Sequence, residues 1–270
     1  MAKLTSYEGL TALVTGASSG IGRGLALRFA REGARVALVA RRADRLRELA
    51  TEIASSGGEA LALRCDVGDQ AQVLEAAGQA LERFGSVDLL VNNAGYGHHR
   101  RFLDWDVEDM ERMMRVNYLG SLYWTKALLP QMVERKRGWL VFMASVGGKI
   151  GVPEESAYAA SKFALVGLAE ALSIELEDDG IEVLTVCPGT FRTDFFDEEA
   201  LARMPPVSRR SMLEPEELVD AIVDALARGK REITVPRRFA TAYVVKAIAP
   251  GFVRRNVKRS TLDALKKMRN

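Results

Sequence analysis

The stretch "TGASSGIG" (15–22) lies where an apolar, strand-like run, "TALVTG" (11–16), gives way to a helical pattern from about 20 to 32. Three glycines, Gly16, Gly20 and Gly22, permit a tight turn, close approach of the backbone to a pyrophosphate, and close packing of the helix on the strand. The helix N-terminus then faces the phosphate charge. Because a strand precedes these glycines and a helix follows them, the stretch predicts a site for a phosphate-bearing cofactor.

The same alternation of strand and helix continues along the chain. Short apolar runs occur at 35–40, 59–67, 87–95, 138–145, 180–189 and 231–236. Helix-length segments separate them, the longest at 107–136, 155–178 and 214–229. Short apolar strands that alternate with helices are typical of βαβ units. We therefore predict an α/β fold, a Rossmann-type doubly wound parallel sheet of about seven strands with helices on both faces, in a single domain over 1–236.

The composition is that of an ordinary globular protein. Of 270 residues, 48% are hydrophobic and 27% are charged, close to the average for soluble domains. The opening residues, "MAKLTSYEGL" (1–10), lack the apolar core of a signal peptide, and no apolar run reaches the ~18–20 residues that span a bilayer. Cys65 and Cys187 lie far apart in strand-like runs without metal-ligand spacing, which indicates reduced core thiols. Together these features favour a cytoplasmic protein.

The formal charge is unevenly distributed along the chain. It is +2 overall, yet residues 230–270 hold twelve Lys or Arg against Glu232 and Asp263, which gives this segment +10 and leaves −8 for residues 1–229. The difference predicts a C-terminal helical extension over 237–270 that meets a different partner or surface from the body.

The extension combines apolar residues with cations. Its predicted apolar helix face comprises Phe239, Tyr243, Val244, Ala247 and Ile248, with Lys246 opposite and Pro250-Gly251 at the end; Arg254, Arg255, Lys258 and Arg259 follow. Such a segment suits peripheral contact with an anionic membrane surface. The alternative is a helix packed on its own domain or on a second subunit, with solvated charges. Nucleic-acid binding is not predicted, because no aromatic residues interleave the cations and the body is acidic.

The end of the second predicted strand, "VALVARRADR" (36–45), bears on the choice of cofactor. A carboxylate at the end of this strand would bind the ribose 2′-hydroxyl of NAD. Ala40 occupies that place, and the guanidinium groups of Arg41 and Arg42 match a 2′-phosphate. We therefore predict NADP(H), with Arg41 as the favoured contact. The alternative is that both arginines merely begin a charged helix.

A tyrosine and a lysine stand four residues apart in the small, apolar segment "SAYAASKFAL" (156–165). Residues at i and i+4 share a helix face, so Tyr158 and Lys162 point the same way. Taken alone, the pair is also consistent with a packed tyrosine and a lysine that extends into solvent.

Several motifs, in order along the chain, make a more specific pattern. The glycine spacing is G-x-x-x-G-x-G, and it is followed by "CDV" (65–67), "NNAG" (92–95), Asn117, Ser145, the Tyr158/Lys162 pair and "PGTFRT" (188–193). In these motifs residues 8–236 resemble the short-chain dehydrogenase/reductase family. The resemblance implies an enzyme that transfers a hydride between a nicotinamide cofactor and a ketone or secondary alcohol, with Asn117, Ser145, Tyr158 and Lys162 as its catalytic set.

The chemistry of that set follows from the charge that develops in the reaction. Hydride transfer to a carbonyl builds negative charge on oxygen, which a nearby acid must neutralise. A free tyrosine has a pKa of about 10, and we expect Lys162 and an oxidised nicotinamide ring to lower the pKa of Tyr158. Tyr158 then donates the proton in reduction and accepts it in oxidation.

The resemblance also implies individual roles. Ser145 hydrogen-bonds the substrate oxygen, Lys162 holds the nicotinamide ribose as well, and Asn117 steadies a water that links Lys162 to solvent. Asp66 is the expected partner of the adenine amino group.

The predicted cofactor-binding residues are Gly16, Ser18, Ser19, Gly20, Ile21, Gly22, Arg41, Arg42, Asp66, Val67, Asn93, Gly95, Tyr158, Lys162, Pro188, Gly189, Phe191 and Thr193. Asn93 and Gly95 are expected on the adenine-ribose side, and Thr193 near the nicotinamide carboxamide. No metal site is predicted, because His98 and His99 lack a third ligand, although they could touch substrate at the pocket mouth.

Residues 190–212 are the expected lid over the substrate. Phe191, Phe195, Phe196 and Met204 either line an apolar pocket or pack the lid down. With the extension, this lid favours a lipophilic carbonyl substrate, such as the long-chain 3-keto or steroid-like carbonyls of relatives that include 3-ketosphinganine reductases. The alternatives are a 3-oxoacyl-thioester reductase and a regulator that senses NADP(H) without turnover. We expect a homodimer through the long helices at 107–136 and 155–178.

Overall fold

The computed structural model describes residues 3–193, 195, 201, 204, 209, 212–264 and 266. Over these residues, strands pair into one parallel sheet of seven strands in the order β3-β2-β1-β4-β5-β6-β7. The strands are β1 (Thr11–Thr15), β2 (Arg35–Ala40), β3 (Ala60–Arg64), β4 (Leu89–Asn92), β5 (Gly138–Met143), β6 (Ile181–Pro188) and β7 (Glu232–Val235). The predicted Rossmann-type parallel sheet in a single domain is confirmed.

Helices cover both faces of this sheet, as predicted. They are α1 (Gly20–Arg31), α2 (Ala43–Ser55), α3 (Gln70–Phe84), α4 (Val107–Met114), α5 (Gly120–Glu134), α6 (Ser156–Glu175), α7 (Pro215–Arg228), α8 (Arg238–Ile248) and α9 (Pro250–Val257). The long helix expected at 107–136 consists of α4 and α5, joined by a π-helical turn over Arg115–Leu119. The homodimer that we expected through this helix and α6 stays a prediction.

Side chains that alternate along each strand build two apolar cores, one on each face. On one face, Val14, Leu38 and Val91 pack with α1, α2 and α7. The largest buried side chain that these helices contribute is Phe29 of α1. Their neighbours on the opposite face pack with α3, α5 and α6 around Trp124. Because both faces are covered, the strands are apolar throughout, as parallel strands must be. Each large side chain removed from water in this way stabilises the fold by about 1.5–3 kcal/mol.

The strand order places the site. Strand β1 pairs with β2 on one side and with β4 on the other, so the chain reverses its direction of travel across the sheet at β1. In open parallel sheets, ligands bind in the crevice beyond the carboxyl ends of the strands at this reversal. The glycine stretch at 15–22 follows β1 directly, which brings it to that crevice.

Helix α6 has an unusual composition. By length and hydropathy it is long and apolar enough to cross a bilayer, which the sequence analysis did not anticipate for any segment. In the fold it packs against β5 and β6, and Leu165, Val166 and Ala169 are buried there. A third of its apolar window is buried in the fold, so one face of α6 belongs to the core, while Phe163 and Ile174 on it are exposed.

The two cysteines are free and buried, as predicted. Burial is the main reason why the pKa of each thiol, Cys65 and Cys187, is raised to about 12.

The C-terminal extension consists of two helices, and its predicted apolar residues do not share one face. Helix α8 ends before Pro250 as predicted, and Pro250 starts the second helix, α9. The predicted face is wrong in part. Lys246 lies on the inner side, where its Nζ donates to the carbonyl oxygen of Lys149 at 2.6 Å, whereas Val244 and Ile248 are exposed. Helical periodicity assigns residues of α8 to different faces, but it does not show which face packs against the rest of the protein.

Candidate active site

Three glycines shape the turn from β1 into α1. Gly16 and Gly20 adopt positive φ angles of +68° and +53°, a region that disfavours residues with a Cβ. A Cβ at Gly22 would lie 2.4 Å from the carbonyl oxygen of Gly16, which is too close for any side chain. The loop thus exposes backbone N–H groups at the N-terminus of α1, which is the arrangement that binds phosphate.

A network of hydrogen bonds joins this loop to the end of β4. The Thr15 hydroxyl accepts from the backbone N–H groups of Asn93 and Ala94 at 2.9 and 3.0 Å, and it donates to the Val91 carbonyl oxygen. The Asn93 side chain donates to the Thr15 carbonyl oxygen at 2.8 Å. The two motifs "TGASSGIG" and "NNAG" are therefore held side by side on the crevice.

All of the predicted cofactor-binding residues line one cavity of about 430 Å³ at the crevice. The lining includes Arg41 and Arg42 after β2 as well as Tyr158 and Lys162 on α6. Lining residues that the sequence analysis did not assign to the cofactor are Ala40, Cys65, Ala94, Tyr96, Val116, Met143, Ala144 and Phe195. The structure thus brings together residues far apart in sequence, while the contact that each makes with a cofactor stays a prediction.

The two arginines after β2 lie differently at their end of the cavity. The Arg42 guanidinium donates to the Ser18 hydroxyl at 3.0 Å and to the Ser19 hydroxyl at 2.7 Å, so it lies over the glycine loop. Arg41 also lines the cavity, and its charge acts on Tyr96 from that side. Ala40 is buried and offers no carboxylate, so this end of the cavity is cationic.

Tyr158 and Lys162 lie on the same face of α6, as predicted. The Lys162 side chain is buried, with 2% of the residue exposed. Its Nζ donates to the Met143 carbonyl oxygen at 2.7 Å and lies 5.7 Å from the centre of the Tyr158 ring. The pair is therefore held inside the protein, which excludes the alternative of a lysine that extends into solvent.

Ser145 meets Tyr158 from the end of β5. The Ser145 hydroxyl accepts from the Gly147 N–H at 2.9 Å, and it opposes the rise in the pKa of Tyr158. Two glycines flank the Tyr158 ring: a Cβ at Gly97 would lie 2.9 Å from it and one at Gly147 would lie 3.4 Å from it. The ring is thus fixed by backbone on two sides. Gly97 went unnoticed in the sequence, although it follows "NNAG" by two residues.

The electrostatics of the pair differ from the expectation. Burial lowers the pKa of Lys162 to about 8. Burial also raises the pKa of Tyr158 above its ordinary 10.0; the Ser145 hydroxyl opposes this, and the charge of Glu155 adds to it. In the chain alone, burial therefore dominates the pKa of Tyr158. The lowering that we predicted from Lys162 together with an oxidised nicotinamide ring stays a prediction for the site with cofactor bound.

Asn117 lies in the π-helical turn between α4 and α5 and is fully buried. Its Nδ2 donates to the Tyr96 carbonyl oxygen and to the Ser161 hydroxyl, at 2.9 and 3.0 Å, and its Oδ1 accepts from the Tyr96 N–H. The Ser161 hydroxyl in turn donates to the Tyr158 carbonyl oxygen. Asn117 thus ties the loop after β4 to the turn of α6 that carries Tyr158. The water link to Lys162 stays a prediction.

An aromatic wall stands on the substrate side of Tyr158. Phe195 contacts the Tyr158 ring edge-on, with 5.9 Å between ring centres. Trp105 and Met113 pack with Tyr96, Ala157 and Tyr158. Of the residues expected to line or close the lid, Phe191 and Met204 are buried, with 3% and 2% exposed. Phe196 and most of 190–212 lie outside the described residues.

A buried acid–base pair flanks this wall and escaped the sequence analysis. The His99 Nδ1 lies 3.1 Å from a carboxylate oxygen of Glu155, three residues before Tyr158. Burial raises the pKa of Glu155 to about 7. The only sequence signal was the placement of Glu155 one helical turn before the Tyr-x-x-x-Lys motif. Over the described residues, no three His, Cys, Asp or Glu side chains gather as metal ligands.

Comparison with curated proteins finds extensive similarity. The chain is 44% identical over 204 residues to the oxidoreductase UcpA of Salmonella typhimurium, covering 75% of each chain. It is 35% identical over 253 residues to dehydrogenase/reductase SDR family member 7B of Rattus norvegicus, covering 88% of this chain and 77% of that one. It is 37% identical over 238 residues to 3-ketodihydrosphingosine reductase of Bos taurus, covering 84% and 71%.

Solved structures share the fold. A short-chain type dehydrogenase/reductase from Mycobacterium marinum superposes with a TM-score of 0.80 at 33% identity, over 87% of this chain and 96% of that one. A Burkholderia phymatum short chain dehydrogenase/reductase in complex with NAD gives 0.83 at 25% identity, over 92% and 96%. A metagenomic short-chain oxidoreductase in complex with NADP gives 0.72 at 31% identity, over 84% and 96%.

The family model for short chain dehydrogenases matches residues 10–203, which contain the glycine loop, Ser145, Tyr158 and Lys162. With this match and the relatives above, the chain belongs to the short-chain dehydrogenase/reductase family of oxidoreductases.

Proposed function

We propose that this protein reduces a lipophilic ketone with NADPH, or in reverse oxidises the matching secondary alcohol with NADP⁺. The observation that carries the proposal is the juxtaposition of the Ser145 and Tyr158 side chains, which both lie against Gly147, with the buried Lys162 beside Tyr158 in the cavity. A hydroxyl pair of this kind can bind one carbonyl oxygen from two directions. Family membership supplies the coarser part of the proposal, an oxidoreductase with a nicotinamide cofactor.

The residues of the cavity fit such a cofactor. A Cβ at Gly16 or Gly22 would collide with atoms of the loop and of Asn93, so glycine lets the loop pack tightly there and leaves the N-terminus of α1 available to a pyrophosphate. Asp66 lies further along the cavity, where its carboxylate would accept from the adenine amino group. When bound, NADPH supplies the hydride.

The chain itself supplies the proton and the orientation of the substrate. Ser145 and Tyr158 would hold the carbonyl oxygen, and Tyr158 would donate its proton to the alkoxide that develops there. Because the pKa of Lys162 is about 8, its ammonium is mostly charged at neutral pH and stabilises negative charge near it. Asn117, through Tyr96 and Ser161, keeps the loop and helix around Tyr158 in register.

The preference for NADP(H) rests on the cationic end of the cavity. Arg42 is held by Ser18 and Ser19 over the glycine loop, where a 2′-phosphate would accept two charge-assisted hydrogen bonds. Ala40, at the end of β2, leaves the ribose 2′-hydroxyl of NAD without a carboxylate partner. Similar proteins have been solved with NAD and with NADP, so the preference is argued from the arginines of this chain and not from its relatives.

The substrate class follows from the residues around the Tyr158 hydroxyl. Phe195, Tyr96 and Met143 line the cavity there, and they favour an apolar substrate by removing hydrocarbon from water. The similarity to 3-ketodihydrosphingosine reductase points in the same direction. A 3-oxoacyl thioester would carry a larger polar group past the same aromatic wall.

The test is NADPH consumption with a series of methyl ketones of rising chain length, measured on the wild type and on Tyr158→Phe. We expect kcat/KM to rise with chain length, by about threefold to fourfold for each added methylene that becomes buried, and we expect the variant to be inactive. Turnover that is independent of chain length would contradict the lipophilic substrate. Cofactor binding without turnover of any ketone would instead favour a regulator that senses NADP(H).

A further inference from the structure

The C-terminal extension is anchored to the body on one side only. Helix α8 begins next to the cavity, because the Phe239 ring would lie 2.9 Å from a Cβ at Gly189, and Gly189 lines the cavity. Farther along, Lys246 donates to the Lys149 carbonyl oxygen at 2.6 Å and lies over the Phe163 ring. The position of α8 on the body is therefore fixed by its inner face.

The outer face presents large apolar side chains to solvent. Val244, Ile248 and Phe252 are 60%, 79% and 54% exposed; we call these three residues the apolar strip. They follow one another at intervals of four residues, across the break at Ala249 where α8 gives way to α9. An exposed strip of this kind on a fixed helix contributes little to the fold and is a candidate contact surface.

A group of cations adjoins the strip on α9 and the turn that follows it. Arg254, Arg255, Lys258 and Arg259 are all exposed; we call these four residues the basic cluster. Among the described residues, no carboxylate lies within ion-pair distance of any of them. The charges of the basic cluster are thus left without carboxylate partners among these residues.

We propose that the apolar strip and the basic cluster dock this protein on the surface of an anionic lipid bilayer. The strip would enter the boundary between headgroups and acyl chains, and the cluster would lie among the anionic headgroups. A second copy of the chain would fit poorly, because a symmetric contact would bring two clusters of like charge together. A nucleic acid would satisfy the cations but would leave the aliphatic strip in water.

Docking of the extension would also bring the cavity close to the membrane. Because α8 starts beside Gly189, which lines the cavity, a docked extension would hold that edge of the cavity near the bilayer. For a lipophilic ketone, this would shorten the path from the membrane to Tyr158. This consequence rests on the proposed function, whereas the docking itself does not.

The experiment is co-flotation of the full-length protein with phosphatidylcholine vesicles, with and without an equal amount of phosphatidylglycerol. The variants are Arg254→Gln/Arg255→Gln in the basic cluster and Val244→Ser/Ile248→Ser in the apolar strip. Matched controls on the body are Leu74→Ser, an exposed apolar residue on α3, and Arg45→Gln, an exposed cation on α2. This readout is independent of catalysis, so its failure is separable from failure of the proposed function.

We expect the wild type and both controls to bind the anionic vesicles and not to bind the neutral ones. The double cation variant should bind about 30-fold more weakly, since each cation near an anionic surface is worth about a factor of five. The variant of the apolar strip should also bind the anionic vesicles at least tenfold more weakly than the wild type does. Equal binding by all variants would overturn the proposal.

Two other results would also overturn it. A change of oligomeric state in the strip variant, without wild-type binding to vesicles, would make the strip a contact between copies. Binding to duplex DNA that depends on the basic cluster but not on the apolar strip, again without binding to vesicles, would make the cluster a nucleic-acid site.

Discussion

The cleft at the sheet and the C-terminal extension are built in opposite ways. In the cleft, polar side chains are paired within the chain: Arg42 with Ser18 and Ser19, Lys162 with the Met143 carbonyl, and Asn117 with Tyr96. In the extension, the apolar strip is exposed and the basic cluster has no ion-pair partner among the described residues. The chain therefore fixes the geometry of the cleft by itself, whereas the outer face of the extension is exposed and is the surface that we propose docks on a bilayer. Substitutions should separate the two regions accordingly.

The largest effect is expected at Tyr158. Tyr158→Phe removes the hydroxyl but keeps the ring between Gly97 and Gly147. Because a positioned acid contributes about 10²–10⁴-fold, we expect kcat to fall by about a thousandfold with the NADPH affinity little changed. Steady-state kinetics and fluorescence titration of NADPH measure the two quantities. A variant with more than a tenth of wild-type activity would remove Tyr158 from the proposed role.

A glycine comparison tests whether the loop geometry is required. Gly22→Ala places a methyl group 2.4 Å from the Gly16 carbonyl oxygen, whereas Gly78→Ala on α3 meets no atom within 4 Å. We expect Gly22→Ala to lower both the melting temperature and the NADPH affinity, the affinity by at least tenfold. Gly78→Ala should stabilise the protein by about 0.5–1 kcal/mol, since alanine is the better helix former. Similar behaviour of the two variants would contradict the account of the loop.

Substitutions of Arg41 and Arg42 should weaken the binding of NADPH but not of NADH. Arg41→Gln and Arg42→Gln each remove a cation from the proposed 2′-phosphate site, so we expect the Kd for NADPH to rise about 10- to 100-fold, in line with about 1.5–3 kcal/mol for a charge-assisted hydrogen bond. The Kd for NADH should not change. Arg45→Gln, on the next turn of α2 and paired with Glu48, is the control. An equal loss for both cofactors would mean that the arginines only support the fold.

A smaller, pH-dependent effect is expected at Glu155. The Glu155 carboxylate raises the pKa of Tyr158, because a negative charge disfavours a nearby phenolate. Glu155→Gln removes that charge and should lower the pKa of Tyr158. Alcohol oxidation requires the phenolate, so its rate-versus-pH curve should move to lower pH. A curve that moves to higher pH or stays in place would show that Glu155 does not act on Tyr158.

The same substitution predicts a change in stability with pH. In the fold, the pKa of Glu155 is raised from 4.5 to about 7, so the folded state binds the proton more tightly than the unfolded state does. Its contribution to stability is therefore fully present below pH 4.5 and is lost as the pH rises through 7. Glu155→Gln should flatten the decline of the melting temperature across this window. An unchanged decline would place its origin elsewhere.

The smallest effect is expected in the extension. Ile248 is 79% exposed, so Ile248→Ser should change the free energy of unfolding by less than about 0.5 kcal/mol. Phe239→Ala, on the inner face of α8 against Gly189, should cost about 2 kcal/mol or more through lost packing. Urea unfolding measures both variants. Equal costs would show that the outer face is not free in solution.

Much of the cleft could be predicted from the sequence. The features that could not be predicted depend on contacts between residues that are distant in the chain. The glycines at 16, 20 and 22, the arginines after β2 and the Tyr158/Lys162 spacing are local patterns, and each lies at the predicted end of the cavity. The packing of Gly97 on Tyr158 and the His99–Glu155 pair join segments some sixty residues apart in the chain. No local periodicity reports such contacts.

The extension shows the same limit. Helical spacing separated two faces of α8, but the partner that draws Lys246 inward is the carbonyl of Lys149, 97 residues earlier. The direction of the Tyr158 pKa shift could not be predicted from the sequence either, because the depth of burial of Tyr158 depends on the whole fold.

The most direct test of the central claim follows the hydride itself. Wild type and Tyr158→Phe are each mixed with NADPH carrying deuterium at the transferred position and with a long-chain ketone, and the product alcohol is analysed by mass spectrometry. The account predicts one deuterium on the carbinol carbon with the wild type and about a thousandfold slower formation of the alcohol with the variant, which still binds NADPH. Wild-type protein that binds NADPH but forms no deuterated alcohol, or a variant that forms as much as the wild type, would contradict the assignment of this cleft as a ketone reductase centred on Tyr158.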